Sequence, residues 1–261
     1  MNELYSEIID QVLASGKRIR AKSGTIQDIG VTKQHLTEED IRIERELKAV
    51  VQRHAPAHAF YAEEENQDFA EADDVWVADP ISGTRFFIAG LPHYGIVAAH
   101  LHKGAAQFAV VYDPSMDALY TARRGGGAFL NGERMSVAAG SDDRRIAFDL
   151  SSGWPDGARA RRMLAELGAF DLYRLPGSHA VNQCLVACGK FHGVVCLAKD
   201  SFPYFASGLI IREAGGVFAN IAGEADIKPT DRVFVGGERQ TARELKTIVE
   251  KVFGDSRRPA G

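Results

Sequence analysis

The sequence predicts a mixed α/β fold, and three observations along the chain support this prediction. Two amphipathic helical patterns come first, a run of short strands follows, and strands then alternate with helices as far as residue 253. Alternation of strands and helices is typical of layered α/β domains. With 261 residues, of which 45% are hydrophobic, the chain can bury a large core as one or two domains.

The N-terminal part is predicted to contain two helices. Residues 3–22 carry apolar side chains at helical spacing with charged residues between them. A second helix is predicted to begin after Thr37 and to continue to about Arg53. Thr37 can cap this helix, and Asp40, three residues later, completes a pattern like a capping box.

A set of strands is predicted next. Residues 75–78 are a short apolar run that we expect to form a buried strand with Asp79 at its C-terminal end. Residues 94–101, 107–112 and 119–123 alternate or run apolar between turns rich in Gly, Asp and Pro, which is typical of antiparallel strands.

A change of composition at residues 138–143 predicts a boundary between an N-terminal domain, 1–140, and a C-terminal domain, 141–261. Beyond it we expect strands near 145–150, 172–174, 193–197 and 233–235, and helices near 157–168, 178–189, 204–215 and 240–253. The C-terminal domain is therefore expected to complete any cleft that the N-terminal domain begins.

Composition restricts the function classes. The net charge is -4 and the Lys and Arg residues are scattered, which argues against a nucleic-acid partner. We expect a cytoplasmic protein without membrane association, because the sequence has no signal-peptide pattern, no apolar run near 18 residues and only three cysteines. Cys184 and Cys188, four residues apart on a predicted helix, are expected to share a buried face.

The most informative motif is Asp79-Pro80-Ile81-Ser82-Gly83-Thr84, and Glu63 lies sixteen residues before it in Ala62-Glu63-Glu64. A carboxylate at a strand end, followed by a tight glycine turn, holds a ligand on rigid backbone. Mg²⁺ binds through one or two carboxylates together with water and substrate phosphate. A carboxylate held in this way is suited to bind such an ion.

These motifs resemble those of the inositol monophosphatase family of magnesium-dependent phosphatases. The resemblance extends over roughly residues 1–253 through further blocks in the same order, at 110–114, 119–122, 125–132, 177–182 and 213–216. It implies a layered αβαβα sandwich of the inositol monophosphatase and fructose bisphosphatase type, with the active site between its two halves. It also implies a homodimer.

The resemblance implies the roles of five residues in the N-terminal half. Glu63, Asp79 and the carbonyl of Ile81 would hold a first Mg²⁺ ion. Thr84, hydrogen-bonded to Asp40, would orient the attacking water. Glu63 would also take part in catalysis.

Contacts with the substrate are also implied by the resemblance. The backbone amides of Gly83 and Thr84 would meet the phosphate. Ser178 and His179, at the start of a predicted helix, would lie near the phosphate or the sugar, although their positions are equally compatible with an ordinary helix start.

Three positions depart from the family pattern. Ser82 replaces an aspartate of the signature, Pro203 stands where the family has a second metal-binding aspartate, and Cys196 stands where many members have a glutamate that touches inositol. One Mg²⁺ ion is expected to bind, and the ligands for a second are incomplete. Asp200 is a possible replacement ligand and Glu65 a weaker one, but Asp200 could equally be a solvated loop residue.

Two other groups are expected to lack a site role. The acidic residues from Glu64 to Asp74 are predicted to form a solvated loop. His93, His100 and His102 do not show the spacing of metal ligands, although His100 and His102 are expected on one face of a strand.

The sequence thus leaves two main functional hypotheses. In the first, the protein hydrolyses a small sugar or polyol phosphate, with turnover reduced roughly a hundredfold by loss of the second metal ion. In the second, it is a degenerate member that binds phosphate, metal or a protein partner without efficient catalysis. A third, an interaction role at the dimer or with RNA polymerase as the resemblance to some bacterial members allows, has little support in the acidic charge balance.

Overall fold

The structure is a computed structural model that describes residues 3–31, 35–66, 68, 72–138 and 144–254. The helices of this part are α1 (Glu3–Lys22), α2 (Glu38–His54), α3 (Thr84–Ile88), α4 (Gly157–Glu166), α5 (His179–Ala187), α6 (Phe202–Glu213) and α7 (Arg239–Phe253), with a 3₁₀ turn at Leu167–Ala169. Among these residues, no helix is long and apolar enough to cross a bilayer.

The strands form two sheets. The first contains β1 (Ala59–Ala62), β2 (Asp74–Ser82), β3 (Gly95–His102), β4 (Ala105–Asp113), β5 (Ala118–Arg123), β6 (Gly127–Leu130) and β7 (Glu133–Arg134), in sequence order. The second contains β8 (Arg145–Leu150), β9 (Asp171–Tyr173), β10 (Gly193–Leu197), β11 (Val217–Asn220) and β12 (Val233–Gly237), in the order β11-β12-β10-β8-β9. Both sheets are mixed, because β1 pairs parallel to β2, and β8 pairs parallel to β9 and β10.

Five layers result from three hydrophobic clusters. One cluster joins α1 and α2 to the outer face of the first sheet, through residues such as Ile8, Leu47 and Trp76. A central cluster places α5 and α6 between the sheets, and a third packs α4 and α7 on the outer face of the second sheet. This arrangement confirms the predicted αβαβα sandwich.

Strand β2 is buried on both of its faces. Trp76 belongs to the outer cluster and its neighbour Val77 to the central cluster, because successive side chains point to opposite faces of a sheet. Both faces of this strand are covered, so the whole run is apolar.

The predicted boundary at residues 138–143 lies mostly outside the described residues, so the division into 1–140 and 141–261 stays a prediction. The central cluster includes residues from both parts, among them Val97 and Phe234. Cys184 is fully buried within α5, whereas Cys188 is half-buried at the C-cap, beyond the last helical residue.

Candidate active site

A cavity of about 590 Å³ lies between the two halves of the chain and contains most of the residues that the sequence singled out. These lining residues are Glu63, Asp79, Ile81, Ser82, Gly83, Thr84, His179, Asp200 and Pro203. The structure thus brings residues from the N-terminal motifs together with residues near the starts of α5 and α6. Asp40, Ser178 and Cys196 do not line the cavity.

Strand β2 positions the signature motif. It continues through Asp79 to Ser82, so the expectation that Asp79 lies at the C-terminal end of the strand was wrong. The pairing with β3 is irregular between Asp79 and Ser82, and such a bulge re-aims the side chains of the bulged strand. Asp79 and Ile81 both line the cavity as a result, and Asp79 is buried.

Gly83 allows the two halves to approach closely. Its φ is +82°, in the left-handed region that glycine adopts without strain. A Cβ atom at this position would lie 2.9 Å from the backbone nitrogen of Ser178. Glycine is therefore required both by conformation and by space.

Thr84, the first residue of α3, contacts two oxygen atoms. Its Oγ1 lies 2.7 Å from the Ile81 carbonyl oxygen and 3.3 Å from Oδ1 of Asp40. A hydroxyl donates only one hydrogen, and the shorter distance favours donation to Ile81. The structure thus places Thr84 beside Asp40, as the resemblance implies, and its catalytic role stays a prediction.

Asp40 is fully buried behind the cavity. Its Oδ2 accepts hydrogen bonds from the Thr37 backbone N–H at 2.8 Å and from the Thr37 hydroxyl at 2.5 Å. These contacts confirm the predicted capping-box partners, and they fix the carboxylate that faces Thr84.

Three charged side chains meet on one side of the cavity. The ammonium Nζ of Lys199 lies 3.6 Å from Oε1 of Glu63 and 3.8 Å from Oδ2 of Asp200. Burial and the nearby charge of Glu63 raise the pKa of Asp200 to about 6, although Lys199 opposes this shift. Asp200 therefore lies in the cavity close enough to Glu63 for the two carboxylates to repel each other.

The loop that carries Glu63 is held by a buried glutamate of α2. The carboxylate of Glu44 accepts hydrogen bonds from the backbone N–H groups of Glu64 and Glu65, each at 2.9 Å, and from the Asn66 side chain. Glu65 is exposed, pairs with Arg45 and does not line the cavity. Glu44 thus positions the loop, and Glu65 is directed away from the site.

Ser82 and Ser178 connect the halves below the cavity. The Ser178 hydroxyl donates to the Ser82 hydroxyl at 2.8 Å and also accepts from the Val181 backbone N–H at 3.3 Å, as the N-cap of α5. The Ser178 backbone N–H donates to the His93 carbonyl at 2.7 Å. Both hydrogen-bond donors of Ser178 are therefore engaged within the protein and are not directed at a phosphate.

His179 lines the cavity and is held by α6. Its Nδ1 lies 2.7 Å from the Tyr204 hydroxyl. Burial, with a smaller effect of Lys199, lowers the pKa of His179 to about 4. The ring is neutral at physiological pH, so it offers a hydrogen bond to a ligand but no positive charge.

The two remaining departures from the family pattern have different surroundings. Cys196 is fully buried in β10, where its sulfur accepts from the Gln183 side chain at 3.4 Å, and burial raises the pKa of its thiol. Pro203 lies in the first turn of α6 and lines the cavity, where it offers no ligand atom.

Sequence reasoning missed the positive side chains of the cavity, which are Arg85, Arg174 and Lys199. Lys199 directly precedes Asp200, and Arg85 directly follows the signature motif. Their closeness in sequence to candidate site residues could have indicated that they belong to the site. Positive groups around a cleft attract anionic ligands. The cavity therefore combines carboxylates suited to a cation with cationic groups suited to a phosphate.

Comparison with known proteins supplies the family. The family model described as "Inositol monophosphatase family" matches residues 3–252. The chain belongs to the inositol monophosphatase family. Membership supports a phosphatase-like function, and because the family is generally magnesium-dependent it also supports a metal cofactor.

Individual relatives carry two kinds of name. The chain is 30% identical over 263 residues to an inositol-1-monophosphatase of Rhizobium meliloti, covering 95% of this chain and 96% of the relative. It is 32% identical over 225 residues to the Nus factor SuhB of Salmonella typhimurium, covering 83% of each. The solved structure of an IMPase from Thermotoga maritima matches with a TM-score of 0.83 at 25% identity, covering 98% of this chain and 99% of that one.

The donor groups of the cavity fit a hard dication. Glu63, Asp79 and the Ile81 carbonyl are all oxygen donors that line the same space, and Mg²⁺ prefers oxygen ligands. Proximity to Glu63 also contributes to the raised pKa of Asp200, and a bound cation would relieve that repulsion. The residues present therefore fit one such ion.

Proposed function

We propose that the protein is a metal-assisted phosphomonoesterase that acts on a small sugar or polyol phosphate, with lower turnover than its family usually shows. The observation that carries the proposal is the meeting of Glu63, Asp79 and Thr84 in one cavity lined also by three positive side chains. The cavity, about 590 Å³, has the size of a typical small-molecule site.

Each residue of the cavity has a role in the proposal. Glu63, Asp79 and the Ile81 carbonyl would hold one Mg²⁺ ion, which when bound supplies Lewis-acid polarisation of the phosphoryl group. Thr84 donates its hydrogen to Ile81, so its lone pairs are available to accept a hydrogen from a water and orient it. Asp40 is the alternative acceptor for that hydrogen, with its Oδ1 3.3 Å from the Thr84 Oγ1.

The ligand's phosphate would be bound by backbone and by charge. The amides of Gly83 and Thr84 face it in the proposal, and Arg85, Arg174 and Lys199 neutralise its oxygens. The neutral ring of His179 contacts a hydroxyl group of the sugar or polyol. Positioning and charge stabilisation are the terms that dominate phosphoryl transfer.

A second candidate function follows from the contact of Ser82 with Ser178. The side chain at the altered signature position serves as a link between the halves, and Pro203 supplies no ligand on the other side. With these two carboxylates missing, the protein would bind phosphate and one metal ion without efficient turnover. The similarity to proteins named as Nus factors is consistent with a non-catalytic role.

Phosphate release separates the two candidates. The substrates are a panel of sugar and polyol phosphates that includes inositol 1-phosphate, each with Mg²⁺ or Mn²⁺. The proteins are the wild type, Asp79→Asn, and the double variant Ser82→Asp with Pro203→Asp. The Ser178 hydroxyl can donate to a carboxylate at position 82 as it does to the serine, and an aspartate at position 203 would lie in the first turn of α6, where negative charge is favourable, so the double variant is expected to fold.

The enzyme proposal predicts slow release by the wild type that Asp79→Asn abolishes. No phosphate release by the wild type, together with release by the double variant, would favour the degenerate binding protein. Silence in both, together with no binding of Mg²⁺ or phosphate by calorimetry, would exclude both candidates.

A further inference from the structure

A second group of potential metal ligands lies at the other end of β2. Asp74 opens this strand, five residues before Asp79, which corresponds to about 17 Å along an extended chain. His58 precedes β1, His100 lies in β3 and His102 ends β3. The group is therefore separate from the candidate active site.

The contacts within the group centre on one carboxylate. Oδ1 of Asp74 lies 3.0 Å from Nε2 of His100 and 2.9 Å from Nδ1 of His102. Oδ2 of Asp74 lies 3.9 Å from Nε2 of His58. His58, Asp74 and His100 each offer one ligand atom, and these three atoms lie within 4.8 Å of one another.

This grouping corrects one expectation from the sequence and bears on a second. Asp74 is the first residue of a strand and contacts histidines, so it is not a solvated loop acid. His100 belongs to a set with the composition of a metal site, although the histidine spacing in the sequence does not show it. The set forms because β1, β2 and β3 are neighbours in one sheet.

The rings are held rigidly by aromatic neighbours. His58 and His100 stack with centroids 5.1 Å apart and an interplanar angle of 9°. The ring of Trp76 also stacks on that of His100, with centroids 5.2 Å apart. The side chain of His100 is 9% exposed and those of His58 and Asp74 are 24% and 29% exposed, so an ion can enter without unfolding the sheet.

Tyr5 supplies the outer support that metal-bound histidines usually have. Its hydroxyl lies 2.8 Å from Nδ1 of His100, the nitrogen on the far side from Asp74. A hydroxyl can donate or accept, so it can receive the Nδ1 hydrogen once Nε2 binds a metal. Such a partner fixes the ring orientation of a ligating histidine.

Trp76 contributes an optical signal. Its indole N–H lies 3.3 Å from Nδ1 of His58, so in the neutral ring the hydrogen is on Nε2. A metal at Nε2 moves that hydrogen to Nδ1 and breaks the bond from Trp76. The fluorescence of Trp76 must therefore change on binding.

We propose that His58, Asp74 and His100 bind a transition-metal dication of the zinc class, with His102 or water as a further ligand. Ligand atoms around a tetrahedral zinc lie about 3.3 Å apart, and the three atoms here lie within 4.8 Å of one another, so binding would draw the wider pairs together. Two imidazoles and a carboxylate favour such a metal over Mg²⁺, which prefers oxygen ligands. The bound ion would connect the turn before β1 to β2 and β3.

The test uses the full chain in excess Mg²⁺, after treatment with a chelator, so that the carboxylates of the cleft are occupied. Zn²⁺ is titrated by calorimetry, and fluorescence is recorded in parallel in a Trp154→Phe background, because Trp154 lines the cleft and would report binding there. Co²⁺ is used for its visible absorption. The variants are His58→Gln and Asp74→Asn. His54→Asn is the matched control, because His54 is a partly buried imidazole that pairs with Glu7 outside the group.

The wild type and His54→Asn are expected to bind one Zn²⁺ ion per chain, and both ligand variants are expected to lose affinity roughly tenfold or more. The signal must persist in Asp79→Asn, which separates this site from the cleft. Imidazole nitrogen NMR of the wild type must show Zn²⁺ at His58 and His100, a readout that does not depend on how the variants fold. Absence of zinc-induced shifts at both rings, or wild-type affinity in both variants, would overturn the proposal.

Discussion

The Ser178 hydroxyl donates to the Ser82 hydroxyl over 2.8 Å, and this contact joins strand β2 to the start of α5. Both residues are buried. The signature position at which the resemblance implies a metal-binding aspartate is therefore occupied by a group that links the two halves of the molecule.

Removing either hydroxyl is predicted to destabilise the fold. A buried hydrogen bond contributes about 1 kcal/mol net, so Ser82→Ala should cost roughly that amount. Ser178→Ala should cost about 2 kcal/mol because it also removes the cap of α5. The variant that carries both Ser82→Ala and Ser178→Ala should be destabilised by about 1 kcal/mol less than the sum of the two single costs, as measured by urea unfolding.

The matched control for this cycle is Ser82→Ala combined with Ser15→Ala. Ser15 is a buried serine of α1 that bonds to Glu46, so its effect should simply add. Additive costs for Ser82 and Ser178 as well would show that their contact contributes nothing.

Thr84 is predicted to act on the rate more than on substrate binding. Thr84→Val keeps the shape but loses the hydroxyl that contacts Ile81 and Asp40. Turnover should fall roughly a hundredfold with little change in KM, because a misplaced water slows the reaction step. Thr84→Ser, which keeps the hydroxyl, should stay close to the parent.

The Thr84 substitutions are made in whichever protein hydrolyses the substrate, either the wild type or the double variant Ser82→Asp with Pro203→Asp. That protein is the parent against which the rates are compared. Parental turnover by Thr84→Val would remove Thr84 from the mechanism.

Lys199 is predicted to affect the affinity for phosphate and the affinity for Mg²⁺ in opposite directions. Its ammonium lies near Glu63 and Asp200, so Lys199→Met should weaken the binding of inorganic phosphate and strengthen that of Mg²⁺. The side chain is 54% exposed, and pairs of this kind contribute about 0–1 kcal/mol, so each change should be several-fold. Calorimetry measures both.

Lys246→Met is the control, because this exposed lysine pairs with Glu250 away from the cavity. It should alter neither affinity. Equal phosphate affinity in the wild type and Lys199→Met would show that Lys199 does not contact the ligand.

Asp149 is predicted to make stability fall as the pH rises. Burial raises its pKa to about 7 from 3.8, while hydrogen bonds from Asn182 and Gln183 only partly oppose the shift. Because the folded state holds this proton more tightly, the cost of ionisation is absent below about pH 4, grows up to about pH 7 and is complete above it. The neighbouring Cys196 and Tyr204 also have raised pKa values and stay neutral.

Asp149→Asn removes this cost and keeps an oxygen for the Asn182 contact. The variant should unfold at a higher temperature than the wild type at pH 8, and the difference should shrink steadily towards pH 5. A difference that is constant across this range would show that Asp149 is already ionised in the fold.

Helices and strands with a long local pattern could be predicted from the sequence. Helix α1 and strands β8 and β10 occupy the predicted residues, because their apolar spacing is decided locally. Strands β1 and β11, of four residues each, were missed, whereas β9, with three residues, was predicted, so strands this short are not decided by their own period. The continuation of β2 through Pro80 depends on a bulge against β3, which the sequence of β2 alone does not specify.

The site was predictable where a motif carries it and not where tertiary contacts make it. Glu63, Asp79 and Thr84 line one cavity, as the motifs indicate. The link between Ser82 and Ser178 joins residues 96 positions apart, and only the packing of the halves creates it. The grouping of His58, Asp74 and His100 depends in the same way on the order of strands in the first sheet.

The central claim is that the cleft holds one divalent cation on Glu63, Asp79 and the Ile81 carbonyl. Its most direct test is the number of Mg²⁺ ions bound per chain, measured by calorimetry in the presence of inorganic phosphate, because Mg²⁺ avoids the imidazoles of the second site. We predict one ion in the wild type, none in Asp79→Asn, and two in Ser82→Asp with Pro203→Asp. Two Mg²⁺ ions in the wild type, both lost in Asp79→Asn, would contradict the account.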